Sequence, residues 1–282
     1  MRRDESALTA ARPRWNRRAS ARPSSPRFPF QPGAARPRAT PSTKCVRSVP
    51  VPFPPVKPRR SSVTPLRSGM SAPLPTPWFD AHLDLACLAV LGRDMLATNL
   101  AAAAGPHTPA GVTIPALLEG HVTHVLGTIF LEQDGADAPI AYAAGDAAAA
   151  HARALDQLRV YEQWGAADLI APLRDKHASA PLRLGILIEG ADALRHPGEL
   201  HWWVERGVVA VGMAWWKSSR YAGGNGSHDG LTDAGRELVR EIDRLGVVHD
   251  VSHLSDRASD ELFDLAQGPI IASHSNCRAL LG

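Results

Sequence analysis

From Trp78 onwards, short apolar runs alternate with longer amphipathic stretches, and this alternation constrains the fold more than any other feature of the sequence. It is typical of repeated strand and helix units around a parallel sheet. Six runs are predicted to be strands, at residues 78–84, 124–131, 182–189, 208–215, 247–253 and 269–274. The pattern predicts an α/β fold built as a TIM-like (β/α)8 barrel. Because six strands cannot close such a barrel, we expect it to be incomplete, with the C-terminal quarter of a longer protein missing.

Three amphipathic stretches between these strands are predicted to be helices. The Ala-rich stretch 140–164 and the stretch 232–245 carry apolar residues at helical spacing. Ser255 is a good N-cap for a third helix at 256–266, because its side chain can accept a hydrogen bond from a free backbone N–H.

The first 70 residues differ in composition from the rest of the chain. They hold 13 of the 24 prolines and 16 Lys/Arg against 2 Asp/Glu, without helical or strand periodicity. Such a segment cannot bury enough apolar surface to fold, so residues 1–70 are predicted to be a disordered basic arm and 71–282 the barrel domain. Three interpretations of the arm remain open: translation that starts at Met70, an organelle transit peptide, or a segment that binds polyanions.

Charge and cysteine content exclude several classes of protein. Residues 71–282 carry 15 Lys/Arg against 26 Asp/Glu, so the basic pI does not indicate a nucleic-acid-binding domain. The three cysteines, Cys45, Cys87 and Cys277, are too few and too scattered for a disulfide framework. No apolar run reaches the ~18 residues of a membrane helix, and no secretory signal is evident. A cytoplasmic location is expected, with organelle import as the alternative.

Potential metal ligands fall where the predicted strands end. His82 and Asp84 close the first run, Glu189 the third, His253 the fifth and His274 the sixth. Because the carboxyl ends of parallel strands meet at one mouth of a barrel, these side chains are expected to converge. Imidazole and carboxylate groups suit zinc, and five ligands are too many for a single tetrahedral ion with an open position. The sequence therefore predicts two divalent ions.

The other histidines are weaker candidates. His124 and His249 do not close their apolar runs, and Asp250 is interpreted either as a partner of a metal ligand or as a structural carboxylate. Six more are predicted to lie in loops or on solvated helix faces: His107, His151, His177, His196, His201 and His228.

Four segments resemble the membrane (renal) dipeptidase family of zinc dipeptidases. They are Asp-Ala-His-Leu-Asp at 80–84, Ile-Glu-Gly at 188–190, Gly-Leu-Thr-Asp-Ala-Gly-Arg-Glu at 230–237 leading to Asp-Val-Ser-His at 250–253, and Ser-His-Ser-Asn at 273–276. The resemblance covers about residues 79–282 and implies a metal-dependent hydrolase barrel with two zinc ions. It implies that His82 and Asp84 hold one ion, that His253 and His274 hold the other, and that Glu189 bridges them. The implied activity is a metallodipeptidase that cleaves the peptide bond of dipeptides with a zinc-activated hydroxide.

Two departures from the family pattern affect the expected substrate. Trp215 stands where family members usually carry a histidine that contacts the scissile carbonyl. The family's substrate-binding arginine and late catalytic aspartate lie after the sixth strand, beyond Gly282, and Arg278 is too close to His274 to replace that arginine. Trp215, Arg220 and Tyr221 are predicted to contact substrate, although a flexible solvent loop explains the last two equally well.

Several functional alternatives stay open at this point. The main prediction is a dipeptidase acting on a dipeptide or another small amide, and a homodimer is a candidate assembly. A related amidohydrolase with another amide, lactam or ester substrate is favoured by Trp215, since an indole cannot act as acid or base. An inactive metal-binding fragment and a nucleic-acid-binding protein that uses the arm are the remaining hypotheses.

Overall fold

The computed structural model describes residues 76–137 and 139–276. Within these ranges the strands are β1 (Trp78–Leu83), β2 (Val122–Phe130), β3 (Glu132–Gln133), β4 (Ala141–Tyr142), β5 (Ile170–Pro172), β6 (Leu182–Glu189), β7 (Val208–Gly212), β8 (Val248–Asp250) and β9 (Ile270–Ile271). The α-helices are α1 (Leu85–Val90), α2 (Ile114–Glu119), α3 (Ala147–Ala166), α4 (Leu200–Val204), α5 (Asp233–Leu245) and α6 (Asp256–Leu265).

One parallel sheet organises the barrel domain. Its strands follow the order β1-β2-β6-β7-β8-β9, and β5 pairs with the start of β6. The sheet curls into a half-barrel, which confirms the predicted α/β fold and incomplete TIM-like barrel. Each predicted strand corresponds to one strand of this path, whereas β3, β4 and β5 were not predicted. All three are only two or three residues long, too short to show a hydrophobic period.

Five of the six predicted strands are too long at their carboxyl ends, whereas the third ends at Glu189 as predicted. The first ends at Leu83 rather than Asp84, and the fourth ends at Gly212 rather than Trp215. The fifth and sixth end at Asp250 and Ile271, so His253 and His274 lie in the loops that follow. Pairing stops there because the chain turns towards the helices, and the backbone of His253 is left-handed, with φ of 65°. The candidate ligands therefore lie on strand ends and on the first loop residues.

Apolar side chains fill both faces of the sheet. Leu126, Leu187 and Ala210 form a small cluster with the partly buried Val248 and Ile271, separate from the large core between sheet and helices. Successive side chains of a strand point to opposite faces, so Glu189 shares its face with Leu187 two residues earlier. The candidate ligand Glu189 therefore lies directly above the small apolar cluster.

Local signals set the ends of the helices. Ser255 caps α6 as predicted, because its Oγ accepts the N–H of Ala258 at 3.0 Å. Thr232 caps α5 in the same way, and Gly246 ends that helix with φ of 65°. The predicted helix at 140–164 begins late, at Ala147, because β4 occupies the first part of that stretch.

Several predictions are untested by the fold. The structure does not describe several segments for which predictions were made, namely the basic arm at 1–70, Cys45, Cys277 and Arg278. Among the described residues, Cys87 is a buried free thiol. Among the described helices, none combines the length and the apolar character that a bilayer span requires. The cytoplasmic location and the homodimer stay predictions.

Candidate metal centre

Glu189 is the centre of a cluster of four of the predicted ligands. It ends β6, and its side chain is only 7% exposed. Its Oε2 lies 3.2 Å from Nε2 of His82 on β1, and its Oε1 lies 3.1 Å from Nε2 of His253 and 3.8 Å from Nε2 of His274. The two carboxylate oxygens therefore face different imidazoles.

The three imidazoles are also packed against each other. The ring centroids of His82 and His274 are 3.7 Å apart, and those of His253 and His274 are 4.6 Å apart. One donor atom from each of His82, Glu189 and His274 falls within 4.8 Å of the others. Side chains separated by more than 190 positions in the sequence thus meet at one point, as the strand-end pattern predicts.

Asp84 lies at the edge of this cluster. Its Oδ1 is 3.7 Å from Nε2 of His82 and accepts a hydrogen bond from Oγ1 of Thr128 at 2.5 Å. Burial and the neighbouring Glu189 carboxylate raise the pKa of Asp84 above its ordinary value. Crowding of two carboxylates is unfavourable without a positive charge, and a bound cation would supply that charge.

The other protonation equilibria reflect the same crowding. Burial opposes ionisation of Glu189, but hydrogen bonds from His253 and His82 outweigh it and lower its pKa to about 2. Burial also opposes protonation of His82, yet Glu189 and Asp84 raise its pKa. Burial and the nearby His82 lower the pKa of His274. Glu189 is thus an ionised carboxylate beside two imidazoles, His82 and His274, whose pKa values shift in opposite directions.

This set of donors fits a divalent metal. Imidazole nitrogens and carboxylate oxygens are the groups that zinc and similar ions prefer. In addition, Nδ1 of His82 is buried and has no hydrogen-bond partner among residues 76–137 and 139–276. The hydrogen-bonding capacity of this imidazole is therefore only partly used by the described protein residues. His82, Asp84, Glu189, His253 and His274 are therefore the residues that could hold metal.

A second layer of hydrogen bonds orients His274. Asp250 is buried and accepts the backbone N–H groups of Ser252 and Ser273, both at 3.0 Å. Its Oδ2 also accepts the hydroxyl proton of Ser273 at 2.6 Å. Ser273 Oγ, 2.9 Å from Nδ1 of His274, is then left to accept the Nδ1 proton. Nε2 of His274 consequently presents its lone pair to the cluster.

Asp250 therefore contacts Ser273, the residue before the candidate ligand His274. Through the backbone N–H groups of Ser252 and Ser273 it also stabilises the loops after β8 and β9. Sequence reasoning left these two roles open, and the structure combines them. Ser273 and Thr128 were missed as supporting residues. The only signal for Ser273 was its position directly before His274.

The three predicted substrate-contacting residues occupy different environments. Trp215 packs its ring edge-on to Phe130, at 5.0 Å, and 6.1 Å from the ring of His253, so it lies beside the cluster. Arg220 donates to Asp192 and to the backbone carbonyl of Arg195. These bonds fix the loop rather than leaving it flexible.

Tyr221 is almost fully buried and its hydroxyl donates to the carbonyl of Leu194 at 2.7 Å. It contributes to the same fixed loop as Arg220. A substrate contact of Trp215, Arg220 or Tyr221 stays a prediction.

The remaining histidines lie away from the cluster. His249 is buried and bonded to Asp243 at 2.8 Å, and His124 is bonded to Thr123 at 2.9 Å. The expectation for His151 was wrong: it lies on α3 with Nδ1 3.0 Å from the carbonyl of Ala193, because this face of the helix packs on the barrel. The other five histidines predicted to lie in loops or on solvated helix faces are exposed, namely His107, His177, His196, His201 and His228, and His121, just before β2, is exposed as well.

Comparison with known proteins identifies the family. The family model described as membrane dipeptidase (peptidase family M19) matches residues 74–282. The chain belongs to the membrane dipeptidase family. This confirms the resemblance drawn from the sequence, and the match includes all five candidate ligands of the membrane dipeptidase barrel.

Curated relatives match over shorter segments. An uncharacterized protein in the PQQ-III 3′ region of Acinetobacter calcoaceticus is 32% identical over 120 residues, which cover 39% of this chain and 38% of that protein. Dipeptidase tcpJ of Claviceps purpurea is 38% identical over 79 residues, covering 27% of this chain and 19% of the relative. The matched segments thus span well under half of either relative.

Solved structures of similar fold cover more of the chain. A metallopeptidase from Rhodobacter sphaeroides, liganded with a phosphinate mimic of the dipeptide L-Ala-D-Ala, superposes with a TM-score of 0.58 at 24% identity, over 72% of this chain and 66% of that one. Dipeptidase AC, a metallopeptidase of family M19, gives a TM-score of 0.56 at 24% identity, over 72% and 64%. These similarities support the fold of the membrane dipeptidase barrel.

Proposed function

We propose that this chain carries the metal centre of a metallodipeptidase, which hydrolyses the peptide bond of dipeptides. The observation that carries the proposal is the convergence of His82, His253 and His274 on the Glu189 carboxylate, with separations of 3.2, 3.1 and 3.8 Å. Membership of the membrane dipeptidase family supports the reaction type. The Rhodobacter sphaeroides metallopeptidase, which binds a dipeptide mimic, supports the substrate class.

We further propose that the centre holds two zinc ions bridged by Glu189. Its Oε2 lies nearest to His82 and its Oε1 nearest to His253 and His274, so each oxygen has its own imidazole neighbours, while the rings of His82 and His274 also contact each other. Asp84 adds a carboxylate to the His82 side. A carboxylate that uses both oxygens is suited to joining two ions about 3.5–4 Å apart, the spacing of two-metal hydrolytic sites.

The protein residues have distinct tasks in this centre. When bound, the ions supply Lewis acidity, which polarises an amide carbonyl and acidifies water. Glu189 stays ionised because of its low pKa, so it provides permanent negative charge. The hydrogen bonds of Asp250 and Ser273 keep the Nε2 lone pair of His274 directed at the centre. Together they preorganise the ligands before substrate arrives.

A second candidate function is hydrolysis of another amide, lactam or ester by the same centre. Trp215 favours it, because this indole lies beside His253, where family members usually have a histidine for the scissile carbonyl. An indole N–H can donate one hydrogen bond but cannot act as a general acid or base. A substrate that needs only carbonyl polarisation would suit this arrangement.

The test combines metal analysis with hydrolysis assays on the purified chain. We expect zinc to bind tightly to the wild-type chain and not to Glu189→Ala, and any dipeptide turnover by the zinc-loaded protein to be lost in the same variant. The control is Glu162→Ala, which removes a carboxylate from the exposed face of α3. Zinc binding without turnover of dipeptides, lactams or esters would favour the inactive metal-binding fragment. Unchanged zinc stoichiometry in Glu189→Ala would refute the bridging role.

A further inference from the structure

A cavity of about 270 Å³ opens next to the candidate metal centre. Gly190, the residue after Glu189, forms part of its wall, as does Trp215, whose ring is 6.1 Å from the ring of His253. The volume is near the lower limit of about 300 Å³ for small-molecule pockets. It therefore suits one side chain of a bound substrate rather than a whole peptide.

The charged groups in the wall are paired, with one exception. Lys217 Nζ lies 3.1 Å from Oδ2 of Asp134, so these two charges compensate each other. Asp192 is bonded to the hydroxyl of Tyr142 at 2.7 Å and to Nε of Arg220 at 3.2 Å.

Glu132 is the exception. Its carboxylate has no ion pair or hydrogen bond with any residue in 76–137 or 139–276, although it lines the same cavity. An unpaired carboxylate in a partly enclosed wall favours a cationic occupant, because such an occupant restores charge balance.

Aromatic rings supply the other walls. Tyr142, Trp215 and the half-exposed Trp216 all line the cavity. The faces of such rings attract ammonium and guanidinium groups, and indole does so most strongly. The methylene stem of a long cationic side chain also packs well on aromatic surface. Glu132 and the aromatic walls thus favour the same kind of group.

We propose that this cavity binds a lysine or arginine side chain of the substrate, so that the protein prefers dipeptides with a cationic residue. Glu132 contacts the charged group, and Tyr142, Trp215 and Trp216 surround its stem. This inference rests on the proposed dipeptidase function and specifies its substrate class. Glu132 is then a residue that determines specificity, and the metal ligands are unaffected by it.

The test uses pairs of dipeptides that differ only in the terminal ammonium group. Lys-Ala is compared with norleucine-Ala, and Ala-Lys with Ala-norleucine, on the zinc-loaded protein. We expect kcat/KM to favour lysine by about tenfold in one of the two pairs. In Glu132→Gln this ratio should fall to about one, while Glu162→Gln, on the exposed face of α3, should keep it. Circular dichroism of both variants checks that they fold.

Three outcomes would overturn the inference. They are a wild-type ratio near one in both pairs, an unchanged ratio in Glu132→Gln, and an equal loss for lysine and norleucine peptides, which would place the substrate α-ammonium beside Glu132. If the wild-type chain hydrolyses none of the four peptides, the dipeptidase proposal fails. In that case the dissociation constants of the four peptides are measured by calorimetry on the zinc-loaded protein. The ratio of the norleucine to the lysine constant within each pair then tests the preference for a cationic side chain.

Discussion

Nε2 of His253 and Nε2 of His274 lie 2.6 Å apart. Two ring nitrogens at this distance either share a proton or face a common cation, since two lone pairs repel each other. The Nδ1 proton of His274 is directed at Ser273, so its Nε2 carries the lone pair. When no metal is present, the Nε2 proton of His253 is shared between this lone pair and Oε1 of Glu189. A metal ion would replace that proton. The pair therefore marks one half of the proposed two-ion centre.

The first prediction concerns this half. His274→Ala removes one of its two imidazoles, while His82 and Asp84 remain on the other side of Glu189. We expect bound zinc per chain, measured by mass spectrometry of metals after dialysis, to fall by about half. His177→Ala, an exposed histidine in a loop, is the matched control. Full zinc content in His274→Ala would show that His274 is not a ligand.

The second prediction concerns the hydrogen bond behind His274. Ser273→Ala removes the acceptor for the Nδ1 proton, and Asp250 loses a donor at the same time. Loss of such a supporting group typically weakens metal affinity by about 10–100-fold, and we expect a loss in this range. Calorimetric titration with zinc measures it.

The control for this variant is Ser259→Ala, which removes a hydroxyl from the middle of α6 and from none of the segments that carry the candidate ligands. Ser273→Thr, which keeps the hydroxyl, should recover most of the affinity. Equal zinc affinity in Ser273→Ala and the wild-type chain would show that the tautomer of His274 is set by other contacts.

Much of the candidate metal centre follows from sequence because its candidate ligands lie on strand ends or in the first loop residues after them. A parallel sheet aligns the carboxyl ends of its strands. A polar residue such as Glu189 at the end of an apolar run is therefore predicted to be buried and to lie at the mouth of the barrel. The loops are different. His253 reaches Glu189 with a left-handed backbone, and Ser273, in the loop after β9, reaches Asp250 at the end of β8. Neither loop conformation is marked by a repeating pattern of residues, so these contacts could not be predicted from the sequence.

The loop after β7 shows the same limit more clearly. Its many glycines suggested a flexible segment, yet Arg220 and Tyr221 tie it to the chain around Leu194. Those partners lie more than 20 positions away. Long-range side-chain bonds of this kind depend on the tertiary fold and leave no local signal.

The third prediction concerns stability and pH. Asp243 on α5 accepts hydrogen bonds from Nε2 of His249, at 2.8 Å, and from the backbone N–H groups of Gln267 and Gly268, at 3.1 and 2.8 Å. Burial opposes ionisation of this carboxyl, but these bonds outweigh it and lower its pKa below the ordinary 3.8. Asp243→Asn should lower the free energy of unfolding by about 1–3 kcal/mol at pH 7, because three donors lose a charged acceptor.

The effect has a definite direction with pH. A lowered pKa means that the stabilisation is complete above the ordinary carboxyl value and is lost as the pH falls through the folded value. The difference between wild type and Asp243→Asn should therefore be largest near neutral pH and shrink below about pH 4. Urea unfolding at pH 7, at pH 4 and at about pH 3 measures it. A difference that grows on acidification would contradict the assignment.

The fourth prediction concerns a glycine inside a helix. Gly235 lies in the first turn of α5, where alanine would ordinarily stabilise the helix by about 1 kcal/mol. Here a methyl group would overlap the backbone carbonyl of Tyr221. That carbonyl cannot move away easily, because it accepts the N–H of Thr232 at 3.0 Å and the Tyr221 ring is buried.

We expect Gly235→Ala to reduce the free energy of unfolding by about 1–3 kcal/mol, since overpacking against a fixed backbone outweighs the gain in helix propensity. Thermal and urea unfolding of Gly235→Ala measure the change. Glu237→Ala, at an exposed position two residues later, should stay within about 0.5 kcal/mol of wild type. A stabilised Gly235→Ala would mean that the loop carrying Tyr221 shifts freely. In that case Arg220 would not be held in place by this loop, and its predicted contact with substrate would regain support.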